Sequence, residues 1–179
     1  MKEIIFETIN ALLKKQFTIH IEDGREVSFR FKKESFSHLL GLHYLTDLPQ
    51  LANQPGRLAL NTLEKDSRIF DSIRKSAHYE KVRDRMNSFT RITDMLLNDT
   101  CEVVVDFDKS KVPSAMIKSK FLLYKTDDHI TYYILGIAES PKGGFYPETY
   151  FVENSRYYVS GQEHFNCAIT YEDNRRKGS

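Results

Sequence analysis

Apolar residues in the first thirty positions follow two different repeats. Between Ile5 and Leu13 they recur every three or four positions, which predicts a helix over residues 3–15. Between Phe17 and Phe31 they alternate with polar residues on both sides of Asp23-Gly24, a dipeptide typical of tight hairpin turns. We therefore predict a helix followed by a β-hairpin with one apolar face.

Helical spacing returns in the middle of the chain. Residues 34–41 suit a short helix that Gly41 ends in the left-handed conformation, because glycine adopts positive φ without steric cost. Residues 44–66 contain two proline-centred turn signals and are predicted to be a loop. Two further helices are predicted, near 69–77 and 79–96, each with one apolar face.

The second half of the chain changes to β-type patterns. The predicted strands lie at 102–107, 115–124, 130–137 and 149–152, with one or two more between 157 and 171. The turns between them are short, and parallel neighbours would need longer crossovers, so we expect antiparallel pairing. The predicted fold is α+β, with N-terminal helices packed on a mainly antiparallel sheet of four to six strands.

Composition narrows the class of protein. A chain of 179 residues with 40% hydrophobic and 28% charged residues fits one folded domain, predicted as 1–172 with a flexible tail at 173–179. No apolar run reaches the ~20 residues that a membrane helix needs, which predicts a cytoplasmic protein with no membrane partner. Two cysteines, Cys101 and Cys167, are too few for a disulfide framework or a zinc site and are expected to be buried free thiols.

The charge balance limits how a polyanion would be bound. With 26 basic and 25 acidic residues, the net charge is +1, and the protein lacks the broad positive field of many nucleic-acid-binding proteins. A polyanion must therefore be bound by a local group of cations.

The segment from Phe31 to His43 concentrates residues that can carry chemistry. His38 and His43 are five positions apart with no glutamate between them, which excludes the zinc-protease pattern. If the chain reverses after the short helix, however, His43 folds back toward Lys32 and Lys33, where an anion is favoured. The segment then forms a phosphate-binding corner. The alternative is structural, with a partly buried His38 and a His43 that caps a carbonyl group.

The sequence of this segment, F-K-K-E-S-F-S-H-L-L-G-L-H, resembles the signature F-K-K-E-N-F-x-H-L-L-G-L-H of the fourth PBECR family. These families are phage-borne members of the barnase/EndoU/colicin/RelE-like nuclease superfamily. A second stretch, from Tyr146 to Phe151, is similar to the aromatic P-x-T-F-F pattern near the end of such domains. The resemblance covers most of residues 15–172, with Ser35 in place of the asparagine of the signature.

The resemblance implies a metal-independent ribonuclease of a phage or mobile element, with RNA as its substrate and no cofactor. Cleavage by the ribose 2′-hydroxyl needs a base, an acid for the leaving 5′-oxygen and a cation for the phosphorane. By position in the motif, His38 and His43 are the acid–base candidates, since imidazoles titrate near neutral pH. Lys33 and Thr149 complete the predicted catalytic set.

The remaining candidates are substrate-binding residues. They share the ability to neutralise or hydrogen-bond phosphate, and they are Lys32, Tyr146, Tyr150, Lys118 and Lys120. The last two point to one face of the predicted strand 115–124, where the alternative is ordinary solvation. The basic residues of the helices between 69 and 96, Arg85 among them, are interpreted as a solvated surface.

Two other functions stay open. One is a catalytically inactive binding module with the nuclease fold, which inhibits a host defence protein or binds an immunity protein. The net charge of +1 favours this alternative, because dedicated RNA-cutting enzymes are usually more basic. The other is an enzyme that acts on small nucleotides with the same corner.

Overall fold

Residues 1–98 and 101–174 are described by a computed structural model. The helices are α1 (Lys2–Leu13), α2 (Ser35–Leu39), α3 (Pro49–Ala52), α4 (Gly56–Lys65), α5 (Ile69–Lys75), α6 (Glu80–Asn87) and α7 (Arg91–Thr93). The strands are β1 (Lys15–Ile21), β2 (Glu26–Arg30), β3 (Cys101–Val104), β4 (Phe121–Thr126), β5 (Tyr132–Glu139), β6 (Phe145–Glu153) and β7 (His164–Asp173). A π-helical turn, Asp94–Asn98, extends α7, and 3-10 turns lie at Leu42–Tyr44 and Lys109–Lys111.

The predicted N-terminal helix and hairpin are confirmed. α1 buries its apolar stripe, which includes Ile5 and Leu12. β1 and β2 pair in antiparallel register around a turn in which Gly24 has a φ of +91°. Phe17 and Phe29 face each other in this register, and their ring centroids are 5.6 Å apart. The hairpin thus presents the apolar face that its alternation predicts.

The strands form a closed barrel in the order β1-β2-β6-β5-β4-β3-β7. The prediction of an open four- to six-stranded sheet with helices packed on it is therefore wrong. β3 to β6 do form an antiparallel meander. However, β7 pairs with both β3 and β1, while β2 pairs with β6, so the N-terminal hairpin closes the sheet. Alternation along one strand does not specify its partners, and this closure is non-local.

The barrel closes unevenly on the two sides of the hairpin. β1 and β7 are paired along their length, from Lys15–Asp173 to Ile21–Cys167. β2 and β6 are parallel and paired at one position, Phe29–Phe145. We call this second contact the seam of the barrel.

The predicted loop at 44–66 is also corrected, because it contains α3 and α4. α3 begins at Pro49, where the missing N–H and fixed φ of proline are compatible with the first helical turn. Gly56 lets the start of α4 approach α2, since a Cβ at this position would lie 2.3 Å from the carbonyl oxygen of Glu34. In these two places, proline and glycine begin helices.

The predicted strand at 115–124 begins later than expected, at Phe121. Residues 115–119 form no strand. The backbone N–H of Lys118 donates to the side chain of Glu148. A carboxylate thus replaces a neighbouring strand as the hydrogen-bond partner of this segment.

One core joins the helices to the strands. A chain of aromatic contacts runs from Phe31 to Phe36 (5.4 Å between centroids), on to Phe89 (6.3 Å) and then to Tyr150 (6.1 Å). These rings connect the end of the hairpin, α2, the turn after α6, and β6. A second, smaller core on the opposite face of β3–β5 contains Val104, Leu122, Tyr124, Tyr132 and Ile134.

Three further expectations concern the membrane, the thiols and the tail. No helix in residues 1–98 and 101–174 is long and apolar enough to cross a membrane. Cys101 and Cys167 are buried and are not joined to each other by a disulfide, as predicted. β7 extends to Asp173, and the N–H of Asn174 donates to the carbonyl oxygen of Lys14 at 2.6 Å. The rest of the predicted tail, 175–179, lies outside the described residues.

Candidate active site

His38 and His43 come together after the end of α2. Gly41 has a φ of +75°, the left-handed conformation that the sequence predicts. The chain then reverses into the turn Leu42–Tyr44 and stacks the ring of His43 on that of His38. The ring centroids are 4.4 Å apart and the planes differ by 13°. Five residues of sequence separation thus become direct contact.

Arg85, from α6, adds a cation to this pair. Its Cζ lies 5.2 Å from the centroid of the Tyr44 ring, which in turn lies 4.0 Å from that of His43. Gly41 permits this packing, since a Cβ there would lie 3.1 Å from Cδ of Arg85. Burial of Val82 on the same helix fixes the position of α6.

β6 contributes two consecutive residues, Glu148 and Thr149. In the pairing with β5, Thr149 faces Gly136 and Pro147 faces Ile137, so Glu148 is the extra residue of a β-bulge. Proline is tolerated at a bulge because the ladder is interrupted there. Both residues line the same cleft, although consecutive strand residues normally point to opposite faces.

The carboxylate of Glu148 is held in place by two neighbours. Its two oxygens accept from the N–H of Lys118 at 2.8 and 2.9 Å, and one accepts from the hydroxyl of Ser119 at 2.6 Å. Gly136 makes room for this arrangement, because a Cβ there would lie 2.2 Å from Oγ of Ser119 and 2.9 Å from Cγ2 of Thr149. The bulge and the glycine together position the acid.

These groups line a cleft of about 390 Å³, which we call the histidine cleft. Its walls are formed by His38, His43, Tyr44, Arg85, Ser114, Met116, Ile117, Glu148, Thr149, Phe151 and Tyr158. The lining includes charged groups, Arg85 and Glu148, beside the two imidazoles. The lining also includes apolar and aromatic side chains: the ring centroids of Phe151 and Tyr158 are 4.7 Å apart, and Met116 is 92% exposed.

Two buried nitrogen atoms of the cleft residues have no hydrogen-bond partner within the described part of the chain. They are Nδ1 of His43 and Nη1 of Arg85. A buried polar group without a partner costs about 1–3 kcal/mol.

Burial and charge favour the neutral form of both imidazoles. Burial, followed by the neighbouring His38 and Arg85, lowers the pKa of His43 to about 4. Burial also lowers the pKa of His38, although part of this side chain is exposed, and Arg85 lowers it further. The negative charge of Glu148 acts in the opposite direction on the His38 pKa. The two rings therefore differ in their preference for a proton.

The predicted lysines lie apart from the histidines. The ammonium group of Lys33 donates to Glu64 at 3.3 Å. Lys120 pairs with Glu139 at 3.3 Å. The described hydrogen bonds of Lys118 to the site are made by its backbone, and its side chain is exposed.

Lys32 and Tyr146 line a different cleft, at the seam of the barrel. This seam cleft, of about 400 Å³, is lined by Gln16, Ser28, Phe29, Arg30, Lys32, Ser35, Ser140, Gly143, Gly144, Phe145 and Tyr146. Tyr150 is fully buried and lines neither cleft, and its hydroxyl donates to the carbonyl oxygen of Ser88 at 2.8 Å. Burial raises the pKa of Tyr150. Of the predicted set, the histidine cleft therefore brings together His38, His43 and Thr149.

The two charged residues of the histidine cleft, Arg85 and Glu148, were not among the predicted site residues. The interpretation of Arg85 as solvated surface is wrong, because its guanidinium is largely buried. The signal was its position three residues after Val82 and four before Phe89, at the edge of the apolar helix face. For Glu148 the signal was Pro147 inside a strand pattern, which marks a bulge.

The charged groups of the cleft suit proton transfer and anion binding. Two imidazoles can exchange protons, a guanidinium can hold phosphate oxygens, and a carboxylate can stabilise an imidazolium. In residues 1–98 and 101–174, no group of three or more His, Cys, Asp or Glu is arranged to hold a metal ion.

Comparison with known proteins gives the class. A family model described as phage-Barnase-EndoU-ColicinE5/D-RelE like nuclease 4 matches residues 1–179, the whole chain. No curated protein and no solved structure matches the chain. The match indicates a nuclease of the phage type, related to barnase, EndoU and RelE, and a nucleic-acid substrate. The chain belongs to this family, PBECR4.

Proposed function

We propose that the protein is an endoribonuclease of a phage or mobile element that cleaves RNA by attack of the ribose 2′-hydroxyl on the adjacent phosphate. The observation that carries the proposal is the stacked pair His38–His43 beside Arg85, in a cleft where two buried nitrogens lack partners. Membership of the nuclease family supports a phosphodiester as the substrate.

In this proposal the two imidazoles have different roles. His43, whose pKa is about 4, is neutral at most pH values and acts as the base that takes the 2′-hydroxyl proton. His38 feels the charge of Glu148, which favours its protonated form, and acts as the acid for the leaving 5′-oxygen. Chemistry by general acid–base transfer contributes roughly 10²–10⁴-fold per group.

Arg85 and Thr149 complete the proposed machinery. The guanidinium of Arg85 stabilises the charge of the phosphorane, a role that the family resemblance suggests for Lys32 or Lys33. The hydroxyl of Thr149, on the wall of the same cleft, hydrogen-bonds a phosphate oxygen. The aromatic wall of Phe151 and Tyr158 offers rings on which bases stack, which favours unpaired RNA. The mechanism assigns no step to a metal.

The direct test is cleavage of tRNA, mRNA and rRNA in the presence of EDTA. The wild type, His38→Ala and His43→Ala would be compared, with His78→Ala as a control because His78 lies outside the cleft. We expect loss of cleavage by at least about 10²-fold in the two cleft variants and none in the control. Equal activity in all four proteins, or no activity of the wild type on any substrate, would remove the proposal.

A second candidate function is a catalytically inactive module that binds a host defence protein or an immunity protein. The net charge of +1 and the 92% exposed Met116 at the rim of the cleft favour it. The same cleavage assay distinguishes the two functions when it is combined with a pull-down from host lysate. A stoichiometric protein partner together with no cleavage of any RNA supports the module.

A further inference from the structure

The seam cleft has a chemical character of its own. Arg30 and Lys32 line it, are exposed, and form no ion pair with any residue that the structure describes. Hydroxyls of Ser28 and Ser140 and the half-buried ring of Tyr146 complete its polar wall. No carboxylate lines it. These groups suit an anionic ligand that also has an apolar face.

Four other clefts of the described residues differ in this respect. Each of the four has at least one carboxylate among its lining residues. Glu148 lines the histidine cleft, and the other three clefts include Glu172, Asp84 and Glu102 respectively. Some other basic side chains form ion pairs, as Lys33 does with Glu64. A protein with a net charge of +1 thus keeps a local positive site at the seam.

The topology explains why a cleft lies at this position. β2 and β6 pair at one position, Phe29–Phe145, and both of these residues line the cleft. The hairpin between β5 and β6 borders it with Gly143 and Gly144, both at positive φ. Most neighbouring strands of the barrel are joined by several paired residues. At the seam only one position of the described strands is paired, so space is left between β2 and β6 that a ligand can enter.

The seam cleft adjoins the histidine cleft along two elements. On α2, Ser35 lines the seam cleft and His38, one turn later, lines the histidine cleft. On β6, Tyr146 lines the seam cleft and Glu148 lines the histidine cleft, a separation of about 7 Å along a strand. A ligand with two neighbouring anionic groups can therefore occupy both clefts at once.

We propose that the seam cleft binds the phosphate that neighbours the cleaved phosphate in a single-stranded RNA. Arg30 and Lys32 neutralise this phosphate, and Tyr146 contacts the adjoining base. The inference rests on the proposed function, because it takes the histidine cleft as the position of the cleaved phosphate. It makes the substrate a polynucleotide, since a dinucleotide has one internal phosphate and fills one cleft.

Binding of RNA that cannot be cleaved tests this subsite separately from catalysis. The probes are a fluorescent dodecanucleotide and a dinucleotide, both with 2′-O-methyl groups, measured by anisotropy over a range of salt concentrations. The variant is Arg30→Ala with Lys32→Ala. The control is Arg68→Ala with Lys75→Ala, which removes the same charge from exposed residues of the α5 region that line neither cleft.

We expect the seam variant to bind the dodecanucleotide roughly tenfold more weakly, with a salt slope smaller by about 0.7 for the one phosphate lost, while its affinity for the dinucleotide is unchanged. The control should bind both probes as the wild type does. Equal loss in the seam and control variants, or equal loss for both probes, would overturn the subsite. If the wild type cleaves no RNA but the length-dependent loss is found, the proposed reaction fails and the phosphate site stands.

Discussion

His43 and Arg85 each keep a buried nitrogen without a hydrogen-bond partner in the described residues, and they lie in the same cleft. A buried polar group without a partner lowers the stability of the fold. We therefore expect these two side chains to lower stability while they increase activity. This conflict can be measured one residue at a time.

Replacement of Arg85 separates its effect on catalysis from its effect on stability. We expect Arg85→Met to lower kcat/KM for RNA by about 10²–10³-fold, because a charge that stabilises the transition state is lost. Its urea midpoint should stay unchanged or rise, because a largely buried, unbonded nitrogen is removed. Arg83→Met is the matched control, since Arg83 lies on the same helix and pairs with Glu80 and Asp84. A drop in stability without loss of cleavage would contradict the role of Arg85.

The pH dependence of kcat/KM follows from the two imidazoles. The base His43 must be neutral, so activity falls as pH drops through its pKa of about 4. The acid His38 must be protonated, and its pKa is lowered from 6.5, so activity falls as pH rises toward neutrality. We therefore expect a bell-shaped profile with an acidic maximum, whose two limbs belong to the coupled pair.

The variant Glu148→Gln tests which limb of this pH profile belongs to His38. Loss of the negative charge disfavours the protonated form of His38, so the limb at higher pH should move to lower pH. A maximum above pH 7 in the wild type, or an unmoved limb in the variant, would contradict the assignment of acid and base.

At the scale of elements, the bulge of β6 depends on a glycine in β5. Gly136→Ala would place a Cβ 2.2 Å from Oγ of Ser119 and disturb the hydrogen bond from Ser119 to Glu148. We expect a loss of about 1–3 kcal/mol in the free energy of unfolding, as for other overpacked sites, together with lower RNA cleavage. The double variant Gly136→Ala with Ser119→Ala should recover part of the stability in urea unfolding, since the clashing oxygen is gone. If the double variant were no more stable than Gly136→Ala alone, the contact with Ser119 would not be the cause of the destabilisation.

β3 and β7 hold two thiols directly opposite each other. Cys101 pairs with Cys167 in register, and the two Sγ atoms are 3.3 Å apart. Opposed residues of antiparallel strands have Cα separations of about 4.5–5.5 Å, which a disulfide spans.

We expect the oxidant diamide, which is reduced as it takes up the two thiol hydrogens, to join Cys101 to Cys167 within one chain. The disulfide should raise the melting temperature, because the cross-link reduces the conformational entropy of the unfolded chain. For a loop of this length the gain in the free energy of unfolding is up to about 4 kcal/mol. Intact mass and thermal unfolding measure this, with Cys167→Ser as the control. The prediction would be contradicted if diamide left both thiols reduced even at temperatures where the protein unfolds. It would also be contradicted if disulfides formed only between two chains.

Elements with local signals could be predicted from sequence. α1 and the first hairpin follow from their repeats, and the chain reversal at Gly41 follows from glycine's tolerance of positive φ. The bulge at Glu148 has only a partial signal, because Pro147 marks an interruption of the strand but the pairing with β5 is needed to show that Glu148 is the extra residue. The segment 115–119 alternates like a strand but bonds to a side chain instead.

At the scale of the whole molecule, closure of the barrel was beyond sequence reasoning. The pairing of β7 with β1, and of β2 with β6, joins residues more than a hundred positions apart. No repeat in either strand encodes its partner. The same limit explains why Lys32 and Lys33 were expected beside the histidines, whereas the cation of the site, Arg85, comes from a distant helix.

The central claim is that two imidazoles transfer protons while the 2′-hydroxyl of RNA attacks its own phosphate. The measurement that tests it most directly is mass spectrometry of the RNA ends produced by the wild type. The account predicts 2′,3′-cyclic phosphate and 5′-hydroxyl ends, which disappear in His43→Ala. Products with 5′-phosphate ends, or cyclic ends formed equally by His43→Ala, would contradict it.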